Sequence, residues 1–176
     1  HKRLDACKLR LGLNQDVALL QSRYITAPVS FGWRKPFVVL PKGLDGLLES
    51  ELDHVLFHEL THIKHGDIIT NYLFCGVQAL YWCNPLVRVA IRQMRRDREA
   101  YCDWAVLNEL TDEAERISYG QTILNFAAGS NTRFYTANGF CQSKEQLKYR
   151  LEQVVGFQRE TKWKRLLGRC FAGMLA

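Results

Sequence analysis

The string His58-Glu59-Leu60-Thr61-His62 constrains this chain more than any other feature. On a helix, residues four apart lie one turn apart on the same face. Two imidazoles so placed can chelate one metal ion, and Glu59 beside them can hold a water as general base. The string sits inside an apolar-rich run with Leu52, Val55, Leu56, Phe57 and Leu60. That run predicts a helix from about Leu47 to Lys64 or His65, with Gly66 as its stop.

A catalytic zinc takes three protein ligands and keeps one position open. The best third candidate is Glu99, on a later predicted helix, and Asp103 follows four residues on along the same face. Glu99 can ligate while Asp103 accepts a hydrogen bond from a ligand imidazole, which fixes its tautomer. Blander readings stand beside these. Glu99 can pair with Arg95 or Arg96 on a solvated face, and Asp103 can be a surface acid. His54 and His65 read as cleft or capping residues. Asp67 reads as the cap of the next helix and as a partner for a basic residue. A structural zinc would close its shell with a fourth ligand such as His54 or His65, leaving a regulatory or protein-interaction domain without catalysis.

The rest of the chain reads as one domain over residues 1–155. A short helix precedes a strand around Val17–Leu20. Residues 22–36, with Pro28, Gly32 and Pro36, should be extended and turning. Phe37–Leu40 is a short strand closed by Pro41. Further helices are predicted over about 68–81, 85–110, 111–128 and 144–154. Asn84-Pro85 opens the second of these, Thr111 caps the third, and Ser143 with Gln146 forms a capping box for the last. Residues 129–139 form a loop that can line the cleft.

Composition adds limits. Hydrophobic residues are 47% of 176, enough for a core. The net charge of +6 is modest; it fits an anionic membrane surface or nucleic acid and demands neither. Arg88, Arg92 and Arg95 could form a phosphate-facing stripe, but they share a helix with Glu99, and no nucleic-acid partner is expected. Six cysteines show no CxxC pair and read as mostly reduced, buried residues. The chain opens His1-Lys2-Arg3 without Met, as expected of a piece of a longer protein.

Several motifs resemble one family in order. They are Ser30-Phe31-Gly32 with Pro36 and the strand to Leu40-Pro41; His58-Glu59-x-x-His62 with His65-Gly66-Asp67; Trp82-Cys83-Asn84-Pro85-Leu86; and Arg98-Glu99-Ala100-Tyr101-Cys102-Asp103. Together they resemble the gluzincin metallopeptidase domain of BlaR/MecR-type membrane receptors, over roughly residues 10–155. The resemblance implies an α+β, zincin-like fold: a small N-terminal sheet with an edge strand over a zinc-binding helix, and a mostly helical C-terminal part. It implies one zinc ion on His58, His62 and Glu99, Glu59 as catalytic base, and Asp103 behind a ligand. It implies a domain on the cytoplasmic face of a bacterial inner membrane, within a larger integral membrane protein. Its substrate would be a cytoplasmic protein, either a transcriptional repressor or the parent chain itself.

Candidates for oxyanion or substrate contact are His65, Arg98, Tyr101 and Tyr135. The strand Phe37, Val38, Val39 and Leu40 is the candidate for pairing with an extended substrate. Residues 156–176 carry Arg159, Lys162, Lys164, Arg165 and Arg169 before an apolar run, Cys170–Leu175. They read as a basic juxtamembrane segment leading into a transmembrane helix, with neighbouring spans of the parent as partners. Residues 68–87 carry no formal charge and match a span by length. Crossing would carry the chain about 30 Å from His62, and Glu99 would have to return through only about 16 Å of helix from the wrong side. A buried helix behind the zinc helix, grazing the membrane surface at most, is therefore expected.

Overall fold

The computed structural model describes residues 2–25, 27–42, 48–128 and 144–157. It is α+β and mostly helical. The order is α1 (Lys2–Leu11), β1 (Ala18–Ser22), β2 (Val29–Phe31), β3 (Phe37–Pro41), α2 (Glu49–Lys64), α3 (Asp67–Leu80), α4 (Pro85–Glu109), α5 (Glu113–Ala128) and α6 (Lys144–Val155). Tyr135, Ser143 and the basic stretch from Arg159 onward lie outside the described residues, as does the expected loop over 129–139.

The sheet has the order β1–β3–β2, with β3 parallel to β1 and antiparallel to β2. This corrects the expectation for Phe37, Val38, Val39 and Leu40. Their strand is central, so its backbone groups already face partners on both sides, and Val38 and Leu40 are buried. The strand beside the cleft is β2, which the Pro- and Gly-rich stretch hides from a sequence reading. Gly32 turns the chain from β2 toward β3 at φ +83, where a Cβ would meet the Lys35 carbonyl oxygen at 2.4 Å.

Helix α2 is the centre of the molecule. It packs against α1, β2, β3, α3, α4 and α5. Leu56, Leu60, Leu107 and Val106 are fully buried where α2 meets α4, alongside Leu4 of α1 and Val38 of β3. Truncating Leu60 to Ala there should cost about 2–5 kcal/mol. A helix covered on most sides can keep His58 and Glu59 buried too, provided that their polar atoms have partners.

Gly66, at φ +68, ends α2 as expected and turns the chain into α3. It takes the capping position itself, so Asp67 is the first residue of α3 and its side chain is free for another role. Helix α3 departs from expectation more strongly. Only Asp67 and Phe74 are buried, while Ile69, Tyr72, Leu73 and Leu80 are exposed. Its apolar content faces outward rather than into a core. Among the described residues, no helix is long and apolar enough to cross a membrane.

Asn84 Oδ1 accepts the Leu86 N–H at 2.9 Å and Pro85 fills the first turn, so α4 starts as its sequence predicts. The arginines of α4 do not form one stripe. Arg95 is buried near the Phe74 ring and Arg96 lies over Tyr149, leaving Arg88 and Arg92 exposed. At α5, Asp112 rather than Thr111 accepts an N–H, that of Ala114 at 3.4 Å. Cys7, Cys75, Cys83 and Cys102 are free thiols, and only Cys7 and Cys102 are buried.

Candidate metal centre

The helical spacing of His58 and His62 brings their rings edge to face, with centroids 4.9 Å apart. Their Nε2 atoms lie 3.2 Å from each other. Glu99 arrives from α4, with one carboxylate oxygen 3.7 Å from His58 Nε2 and the other 3.8 Å from His62 Nε2. The structure thus gathers these three side chains into one group able to hold a metal ion. The fit to zinc can be tested on geometry. Ligand atoms bound at 2.0–2.1 Å around a tetrahedral centre stand about 3.3 Å apart. The two Nε2 atoms, 3.2 Å apart, match that spacing, and each has one of the two Glu99 oxygens at 3.7 or 3.8 Å, within about half an ångström of it. Two imidazole nitrogens and a carboxylate oxygen are also a common donor set for zinc.

Both Nδ1 atoms are occupied, which leaves both Nε2 atoms to converge. His62 Nδ1 donates to Asp67 Oδ2 at 2.6 Å. His58 Nδ1 lies 3.3 Å from Asp103 Oδ1 and 3.2 Å from the Tyr119 hydroxyl. Asp103 is 0% exposed. Its oxygens accept the Tyr119 hydroxyl at 2.6 Å and a two-pronged contact from Arg150, whose Nε and Nη2 both donate at 2.7 Å. Arg150 also reaches within 3.9 Å of Glu99. Asp67 in turn receives Arg98, whose Nε is 3.7 Å from its carboxylate.

This wiring sets the charges. Burial works against ionising Asp103, yet the Arg150 guanidinium and the His58 hydrogen bond hold it well below the usual carboxylate range. Glu99 is held low in the same way, against burial, by His62, His58 and Arg150. Burial opposes a charge on His58, but Asp103 and Glu99 outweigh it and raise the ring to about 9. These groups pair with one another, and a divalent ion held there would replace the proton on His58.

A cleft of about 460 Å³ opens over the centre. Glu59, buried beside His58, lines it, together with β2, α3, α5 and Arg150. Arg98 and His54 are also in its wall. His65 and Tyr101 are not. They meet edge to face, ring centroids 4.9 Å apart, with His65 capping the end of α2. Neither His54 nor His65 joins the three converging groups as a fourth ligand among the described residues. A second grouping, His62, Asp67 and Cys102, uses the ring nitrogen already committed to Asp67. Burial and nearby carboxylates push the Cys102 thiol far up, so it is protonated there.

Sequence reasoning missed Tyr119 and Arg150; for Asp67 it expected the contact to a basic residue, which Arg98 makes, but put it at the helix cap, which Gly66 holds, and missed its bond to His62. Asp67 carried a signal: it follows a helix-ending glycine only five residues after His62. Tyr119 and Arg150 carried none, being 61 residues from His58 and 47 from Asp103.

A family model described as BlaR1 peptidase M56 matches residues 1–154. The regulatory protein BlaR1 of Bacillus licheniformis is 35% identical over 154 residues, covering 86% of this chain and 26% of its own length. The methicillin resistance mecR1 protein of Staphylococcus aureus (strain Mu50 / ATCC 700699) is 30% identical over 126 residues, 70% of this chain and 21% of its own length. The regulatory protein BlaR1 of Staphylococcus aureus is 23% identical over 157 residues. The chain spans about a quarter of the length of these relatives.

Proposed function

The chain belongs to the BlaR1 peptidase M56 family, and on that premise we propose that it is a zinc-dependent endopeptidase domain of zincin-like (gluzincin) fold. The observation that carries this reading is the convergence of His58 Nε2, His62 Nε2 and the Glu99 carboxylate beneath a cleft, each imidazole backed by its own carboxylate. His58, His62 and Glu99 would hold the ion. When bound, zinc supplies Lewis acidity that polarises a peptide carbonyl and makes water more acidic.

The chain's own groups do the rest. Glu59 takes a proton from the attacking water and returns it to the leaving nitrogen. Asp103 and Asp67 keep both rings in the tautomer that presents Nε2. Arg98 and Arg150 put positive charge in the cleft wall, where a developing oxyanion is stabilised. The edge of β2 borders the cleft and can pair with an extended peptide.

The substrate we propose is a cytoplasmic protein in membrane-linked signalling, a transcriptional repressor or the parent chain itself. The domain would lie on the cytoplasmic face of a bacterial inner membrane, with residues 156–176 leading toward a span. Glu59→Gln in the full-length parent tests the activity. It should preserve the fold and the zinc while abolishing cleavage, as read by comparing the cellular protein fragments of the two strains. Wild-type cleavage by the Glu59→Gln protein would reject the reading.

A further inference from the structure

We propose that the outward face of the α3–α4 hairpin is a membrane-docking surface that seats in the headgroup layer of an anionic bilayer without crossing it. Along α3 and over the turn into α4, large apolar side chains stand in the open. Leu80 is 78% exposed, Leu86 76%, Tyr72 72% and Trp82 67%, with Leu73 and Val89 exposed beside them. Large apolar side chains exposed together along one helix and turn mark an interaction surface rather than ordinary exposure. Tyr72, Leu73 and Leu80 recur at helical spacing, so they share one face of α3.

Charge and ring chemistry select the occupant. Residues 68–96 contain four arginines and no Asp or Glu. Arg95 is buried and Arg96 stacks on Tyr149, but Arg88 and Arg92 are exposed on the same hairpin. Arg88 donates to the Trp82 carbonyl at 2.6 Å, which keeps the guanidinium at the hairpin turn. Aliphatic groups flanked by Tyr, Trp and Arg suit the boundary between acyl chains and anionic headgroups. A second copy of this chain would bring residues 68–96 together arginine against arginine, with no acidic group in that stretch to receive them. Helix α3 has 14 residues, too few to span, so the hairpin lies in the plane. Tyr72 and Ile68 also line the cleft, so docking would hold the cleft mouth at the membrane surface.

This inference goes beyond the peptidase reading, and its test needs neither substrate nor metal, so either can fail alone. The whole 176-residue chain is sedimented with phosphatidylcholine vesicles, with and without phosphatidylglycerol. Salt of about 0.5 M silences the screened attraction of exposed basic residues and leaves apolar insertion. Under those conditions the wild type should still bind. The combined variant Leu80→Ser, Trp82→Ser and Leu86→Ser should lose at least about tenfold in partitioning. These side chains are exposed, so melting temperature should stay unchanged. At low salt, Arg88→Gln with Arg92→Gln should cut the preference for phosphatidylglycerol by about tenfold or more. Equal partitioning of wild type and the triple variant, or no binding by the wild type, would overturn the proposal. So would a wild-type dimer on gel filtration that ignores vesicles and dissociates in the triple variant, because a second copy would then cover the face.

Discussion

Replacing Arg150 by Met should damage both stability and metal affinity, because Arg150 neutralises the most buried charge of the centre. Asp103 is fully buried and receives two guanidinium hydrogen bonds at 2.7 Å. Met preserves the side chain's bulk but leaves the Asp103 carboxylate with only Tyr119 and His58. Removing one partner of a buried ion pair costs about 3–5 kcal/mol, because the other charge stays uncompensated. For a chain of this size that is a fall in Tm on the order of 6–20 °C. Asp103 would recover part of the loss by drawing the His58 proton closer or by taking up a proton itself. Either response disturbs the ring that presents Nε2, and zinc affinity should drop by about 10–100-fold. Arg150→Lys keeps the charge without the two-pronged geometry, so it should fall between wild type and Arg150→Met. Urea unfolding of the metal-free proteins gives the stability term, and competition with a zinc chelator gives the affinity. An Arg150→Met protein within about 0.5 kcal/mol of wild type, with unchanged zinc affinity, would refute the reasoning.

Asp67→Ala and Asp103→Ala should each weaken zinc binding by about 10–100-fold in chelator competition, since each carboxylate orients one imidazole; an unchanged affinity in Asp67→Ala would return Asp67 to a purely helical role. The metal-free protein should lose stability on both sides of a mildly acidic optimum. Asp103 and Glu99 are depressed below their ordinary values of 3.8 and 4.5, so their contribution is complete above those values and disappears as pH falls below them. His58 is raised from 6.5 to about 9, so its contribution is complete below 6.5 and lost as pH climbs through about 9. Urea midpoints of chelator-treated protein across this range check both arms, and a flat profile from neutral pH to beyond 9 would contradict the His58 assignment.

What could be read in advance follows from the range of each signal. His58 and His62 belong to one helix, and Glu99 and Asp103 to another, so period alone puts each pair on one face. The helices themselves announce their ends through Gly66, Asn84 and Pro85. Tertiary partners are different. Arg150 meets Asp103 only because α6 folds back across α4, and no local pattern encodes that approach. The strand β2 is three residues long and flanked by Pro28 and Gly32, so turn chemistry masks it. Without β2, Phe37–Leu40 reads as an edge. Helix α3 misled for another reason: hydrophobicity reports that a surface wants cover, not whether the cover is this chain's own core.

The most direct test of the account is zinc retained per chain after dialysis at limiting metal, for wild type, Glu59→Gln and Glu99→Ala. Wild type and Glu59→Gln should each retain close to one zinc, because Glu59 lines the cleft without joining the three converging groups. A large loss should follow in Glu99→Ala, which leaves only two imidazoles to hold the ion. Equal, near-stoichiometric zinc in wild type and Glu99→Ala would contradict the account.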